Sequence, residues 1–87
     1  MDSYKIEWKH SAIKDLKKAP KETIIRLIKA IEELAADPFP MGVRKLSGVD
    51  HYFRIRVGDF RIVYSVYVDR LIIEIVRIAH RKDVYRR

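Results

Sequence analysis

The segment Tyr52-Phe53-Arg54-Ile55-Arg56-Val57-Gly58-Asp59-Phe60-Arg61-Ile62-Val63-Tyr64 decides the fold. Polarity alternates on both sides of Gly58-Asp59, the period of a strand with one covered face. Glycine first in a two-residue loop suits a type II′ hairpin turn. Folding the segment about that loop sets Val57 opposite Phe60, Arg56 opposite Arg61, Ile55 opposite Ile62 and Arg54 opposite Val63. Phe53, Ile55, Val57, Phe60, Ile62, Tyr64, Val66 and Val68 then share one face. Arg54, Arg56, Arg61, Val63, Ser65 and Tyr67 share the other.

Working outward, Asp69-Arg70 is expected to turn the second strand into a third over residues 71–79. There Leu71, Ile73 and Ile75 join the apolar face, while Glu74, Ile78 and His80 extend the arginine face. An apolar face needs a cover, and the N-terminal half supplies one. Ser11 is placed to cap a short helix carrying Ala12, Ile13 and Leu16. Pro20 suits the first turn of a second helix. In that helix Ile24, Leu27, Ile28, Ile31, Leu34 and Ala35 keep amphipathic spacing. Asp37-Pro38-Phe39-Pro40 stops it, because proline disfavours helix in the residue before it. Residues 4–8 alternate with aromatic and β-branched side chains and read as a further strand. The expectation is a single α+β domain over residues 1–87, with two N-terminal helices packed on one face of a four-stranded antiparallel sheet.

Composition narrows the function. The 87 residues suffice for one core and exclude a two-lobed enzyme. The absence of cysteine excludes a disulfide framework, a thiolate nucleophile and a cysteine-bound zinc. No apolar run reaches the ~20 residues of a membrane span, and the start lacks a signal-peptide layout, so a soluble cytoplasmic protein is expected. The net charge of +7 is unevenly placed. Residues 1–40 hold 8 basic and 7 acidic side chains, whereas residues 41–87 hold 11 and 5. The first set is nearly all lysine and the second nearly all arginine, whose planar fork suits phosphate. A polyanion, nucleic acid first, is the expected partner.

The Arg56–Arg61 pairing is the most informative local feature. Like charges directly opposite on neighbouring strands are destabilising, and an anion between them reverses the sign. Arg54 lies two residues along the same face. With His80 assigned to that face, the group describes a phosphate site. RNA carries its own nucleophile in the 2′-OH. Cleavage by that hydroxyl needs a base, an acid and cations around the phosphorus. Arginine stays protonated and supplies only charge. His80 suits a proton-transfer role, and Tyr85 suits stacking, orientation of the hydroxyl or proton transfer. The three histidines show no close spacing of the kind that holds a metal.

Three pieces now resemble a known family: Arg44-Lys45-Leu46-Ser47-Gly48, the 52–64 segment, and Ile78-Ala79-His80-Arg81-Lys82-Asp83-Val84-Tyr85. In this order they resemble the RelE/ParE superfamily of toxin–antitoxin toxins, in its RelE branch. The resemblance implies the RelE-like fold, ribosome-dependent mRNA cleavage and inhibition of translation. It implies a small acidic RelB-like antitoxin as partner, beside the ribosome and mRNA, with no metal, small-molecule cofactor or membrane. By position it assigns Arg61, Arg81, Tyr85 and His80 to catalysis, and Arg54, Arg56, Lys45 and Lys82 to RNA phosphates. Arginine stands at 54 and 56 where some members have lysine, which leaves the base between His80 and Tyr85. The alternatives are a ParE-like toxin that inhibits DNA gyrase by binding, and an RNA-binding module without catalysis.

Overall fold

The computed structural model describes residues 3–46 and 51–81. In chain order it contains β1 (Lys5–Trp8), α1 (His10–Lys17), α2 (Lys21–Ala36), β2 (Arg44–Lys45), β3 (Tyr52–Val57), β4 (Phe60–Tyr67) and β5 (Ile72–His80). Five strands form one sheet in the order β1-β5-β4-β3-β2. The core joins Ala12, Ala19, Leu27, Ile31 and Leu34 of the helical half to Ile62, Tyr64, Val66, Ile73, Ile75 and Ile78 of the sheet. Burial of these apolar faces is the main stabilising term.

The hairpin register is the expected one, Val57↔Phe60 through Arg54↔Val63. Gly58 takes φ +60°, a region that glycine enters without the steric cost of a Cβ. The Arg26 guanidinium lies 3.4 Å from where a Cβ on Gly58 would stand, so the turn is close-packed as well.

Four expectations are corrected. The sheet is mixed and five-stranded, because β1 pairs with β5 in parallel and Arg44–Lys45 adds an edge strand. A two-residue strand carries no alternation to read, and two intervening helices leave the direction of β1 open. The connection between β4 and β5 is longer than two residues: Val68 and Leu71 fall in it, exposed, with Leu71 at φ 54°. Ser11 does not cap α1; its hydroxyl donates to the Val76 carbonyl at 2.8 Å.

The fourth correction matters most. Tyr64 pairs with Ile75, but Val63 pairs with Arg77, so Val76 is an extra residue in β5. A one-residue shift sends every later side chain to the other face. Ile78 therefore faces the core opposite Ile62, and His80 stands opposite Phe60 on the helix side.

Helix α1 secures this bulge. β1 ends with Trp8 opposite Ile75, and beyond it β5 has no strand on that side among the described residues. Ser11 and Asp15, one helical turn apart, take over its backbone. Asp15 Oδ2 accepts from the Ile78 amide at 2.9 Å and from Arg77 Nε at 2.8 Å. A second anchor is Tyr64, fully buried, whose hydroxyl donates to the Pro38 carbonyl at 2.7 Å. Burial, with the Asp37 carboxylate adding to it, pushes this hydroxyl far above the ordinary tyrosine range.

Two outcomes are expected in denaturant titrations. Asp15→Ala leaves the Ile78 amide without its partner and costs about 1–3 kcal/mol. Arg77→Ala breaks only an ion pair whose arginine is 58% exposed, and costs under ~1 kcal/mol. Equal losses would place the stabilisation in the ion pair. Tyr64→Phe costs about 1 kcal/mol at neutral pH. Because the folded state holds the Tyr64 proton more tightly, its contribution is whole below the unfolded pKa of ~10 and fades as pH rises from there. The gap between wild type and Tyr64→Phe should shrink above pH ~10.

Candidate nucleic-acid interface

The face of the sheet away from the helices carries two like-charge pairs side by side. Arg56 pairs with Arg61 across β3 and β4, and Arg44 pairs with Arg54 across β2 and β3. Strand alternation puts all four on this face. They line one cleft of about 270 Å³, together with Gly42 and Ile55. Gly42 opens this segment with φ +91°, a conformation unfavourable to any residue with a Cβ.

Burial grades the four. Arg44 and Arg56 are exposed, Arg54 is half-buried, and Arg61 is only 9% exposed. Arg61 sits on β4 between Arg56 and Ala79, whose methyl leaves lateral room for a guanidinium. Among the described residues, no carboxylate pairs with Arg44, Arg54 or Arg56. Four guanidiniums around one concavity, the innermost desolvated, give it the charge and the donor geometry that suit an oxyanion.

The structure redistributes the other expected site residues. Arg81 follows β5 directly, and its amide donates to the Asp59 carbonyl at 2.7 Å. That contact holds it at the hairpin-turn end of the sheet, the end that carries Arg56 and Arg61. His80 is not on the arginine face. Its ring meets Phe60 edge-on at 5.0 Å, beside Ala19 and Pro20 of the interhelical turn. The Val76 bulge is the reason. Lys45 pairs with Phe53, so it too belongs to the helix-side face, and Arg44 takes its place at the cleft. Sequence reasoning missed Arg44 because only the pairing of β2 with β3 tells the two neighbours apart. Lys82 and Tyr85 lie outside the described residues. Among the described residues, no group of three or more His, Asp or Glu side chains suits a metal, and no helix is long and apolar enough to cross a membrane.

Comparison with known proteins bears on the family and the fold. The model of a family described as ParE toxins of type II toxin–antitoxin systems matches residues 6–85. The chain is 33% identical to the toxin RelE3 of Methanocaldococcus jannaschii over 85 residues, 93% of this chain and 94% of that protein. It is 30% identical to the toxin RelG of Mycobacterium tuberculosis over 88 residues, covering 97% and 98%. Among solved structures, the archaeal RelE–RelB complex from Pyrococcus horikoshii OT3 superposes with a TM-score of 0.81 at 28% identity, covering 91% of this chain and 96% of that one.

If the paired arginines are held together against their own repulsion, truncating one relieves it. Arg44→Ala and Arg56→Ala should leave stability unchanged or raise it by about 0.2–1 kcal/mol at low ionic strength. Inorganic phosphate should raise the melting temperature of the wild type more than that of either variant. A clear destabilisation by Arg56→Ala would show that the pair serves the fold instead.

Proposed function

The chain belongs to the RelE/ParE superfamily of toxins from type II toxin–antitoxin systems, and on that premise we propose that it is a ribosome-dependent endoribonuclease that cuts messenger RNA. The observation that supports this most is the arginine cleft. A toxin that acts by binding alone has no need of four guanidiniums converging on one small concavity. A phosphate undergoing in-line attack does.

In the proposed reaction the message supplies its own nucleophile, the 2′-OH next to the scissile phosphate. The oxygen–phosphorus bond forms as the bond to the 5′ oxygen breaks. A 2′,3′-cyclic phosphate and a free 5′-OH result. Arg61 and Arg81 stabilise the charge that develops on the phosphorane, and Arg54, Arg56 and Arg44 hold the strand. These charges do what a bound cation would otherwise do, so the proposal needs no metal. Arginine stays protonated and does not serve readily as acid or base. Since His80 lies across the sheet from the cleft, the proton-transfer role in this proposal falls to Tyr85, on its sequence position alone.

The solved relative from P. horikoshii is a complex of RelE with RelB. We carry that partner over: a small acidic antitoxin that neutralises the basic face and keeps the toxin inactive in the cytoplasm. The ParE description of the matching family favours a second reading, inhibition of DNA gyrase by binding. A reconstituted translation reaction separates the two. The nuclease stops it and leaves cut message, whereas a gyrase inhibitor leaves translation running. A message bound but left whole would point to an RNA-binding module.

Arg61→Ala should lower the cleavage rate on programmed ribosomes roughly a hundred- to thousandfold, the usual loss for one preorganised contact to a developing oxyanion. A message with a 2′-deoxy sugar at the cleavage nucleotide should resist. Cutting of that message at the normal rate would make water the nucleophile and overturn the mechanism.

A further inference from the structure

Beyond the arginines, the same sheet face continues in two more rows. Tyr52 of β3, Ser65 of β4 and Glu74 of β5 stand in register, followed by Glu7 of β1. The next row holds Tyr67 of β4, Ile72 of β5 and Lys5 of β1. Same-face residues on a strand recur every ~6.6 Å. Tyr52 is one such step beyond Arg54 along β3, and Tyr67 is one row further along the sheet. Each step is about the reach of one nucleotide in an extended single strand.

This part of the face is aromatic and partly open. Tyr52 and Tyr67 are half-buried, and the exposed His51 ring lies 5.9 Å from Tyr52 and 6.0 Å from Tyr67. The Arg70 guanidinium sits 4.5 Å over the Tyr67 ring. Ser65 Oγ is fully buried between Tyr52 and Glu74 and lacks a hydrogen-bond partner among the described residues. Glu7 and Glu74 are direct neighbours across β1 and β5, a negative pair on the side away from the arginines. The β1 edge is mixed in charge, with Lys5 beside Glu7, whereas the β2–β3–β4 strip contains no carboxylate. That strip carries arginines at one end and stackable rings at the other.

We infer that Tyr52 and Tyr67, with His51 and Arg70 beside them, form a base-stacking platform for the message on one side of the phosphate held by the arginine cleft. The platform takes unpaired bases of any identity, because stacking uses the ring face. The occupant is single-stranded RNA of the message itself, because the platform is continuous with the cleft on one face and in matched steps. This rests on the nuclease reading for the identity of the cut, but not for the binding it predicts.

The test is binding of a short labelled single-stranded RNA, blocked by one 2′-deoxy sugar at the cleavage nucleotide, measured by fluorescence anisotropy at low salt. An abasic residue is moved through the positions on both sides of the block. For the wild type, positions one and two nucleotides away on one side should each lose roughly tenfold or more in affinity. The other side should be nearly indifferent. Tyr52→Leu and Tyr67→Leu should each reproduce one of those losses on intact RNA and lose nothing further on the matching abasic RNA. Tyr52→Phe and Tyr67→Phe should bind as wild type. No RNA binding, affinity indifferent to abasic residues on both sides, or tyrosine losses that simply add to abasic losses would overturn the platform. The abasic arm uses the wild-type chain and decides the matter even where a leucine variant folds poorly. A wild-type chain that leaves an all-ribose message uncut on the ribosome would sink the nuclease reading alone.

Discussion

Two side chains on α1 hold the backbone of β5 at the one point where its register slips. β5 outruns β1, and past Ile75 it would present an open edge. Ser11 and Asp15 close that edge by bonding the backbone of Val76 and Ile78. An extra residue in a strand is tolerable when the backbone groups it displaces find partners, and costly when they do not. With those partners in place Ile78 turns into the core, and the chain leaves the sheet at Arg81 beside the β3–β4 turn. The composition of both faces at that end of the molecule follows from this local arrangement.

The arginine cleft has a different logic. Its two like-charge pairs work against the fold, and the sheet tolerates them because burial on the opposite face supplies far more stabilisation than the repulsion removes. Arginine at 44, 54, 56 and 61 makes the site a set of fixed charges. A planar guanidinium fork matches an oxyanion in shape as well as in charge. The same feature denies the cleft a proton carrier of its own. A reaction there needs a titratable group from elsewhere in the chain, and His80 is kept from that role by the direction in which β5 presents it.

The outer face of the sheet is graded as well as charged. Arginines occupy the β2–β3–β4 corner, tyrosines follow along β3 and β4, and glutamates face one another across β5 and β1. A surface graded in this way has a direction. It suits an extended ligand with repeating charge better than a compact one.

The sequence by itself determined the hairpin and its faces. Strict alternation about Gly58-Asp59 leaves one register in which the apolar side chains share a side, and that register places Arg56 against Arg61. It also determined the helical cover, through the spacing from Ile24 to Ala35, and the membership in the toxin superfamily, through an ordered set of short motifs. Tertiary structure alone decided the direction of β1, the existence of β2 and the face of every residue beyond Val76. Each of these depends on pairing between segments distant in the chain. Alternation records which side chains agree with one another within a strand, but it carries no signal of a neighbour's direction. Nor does it mark the residue at which an edge, held by Ser11 and Asp15 of a helix, admits one residue more. For that reason Arg44 and His80 were both in plain view in the sequence, and only the sheet showed that the first belongs to the cleft and the second does not.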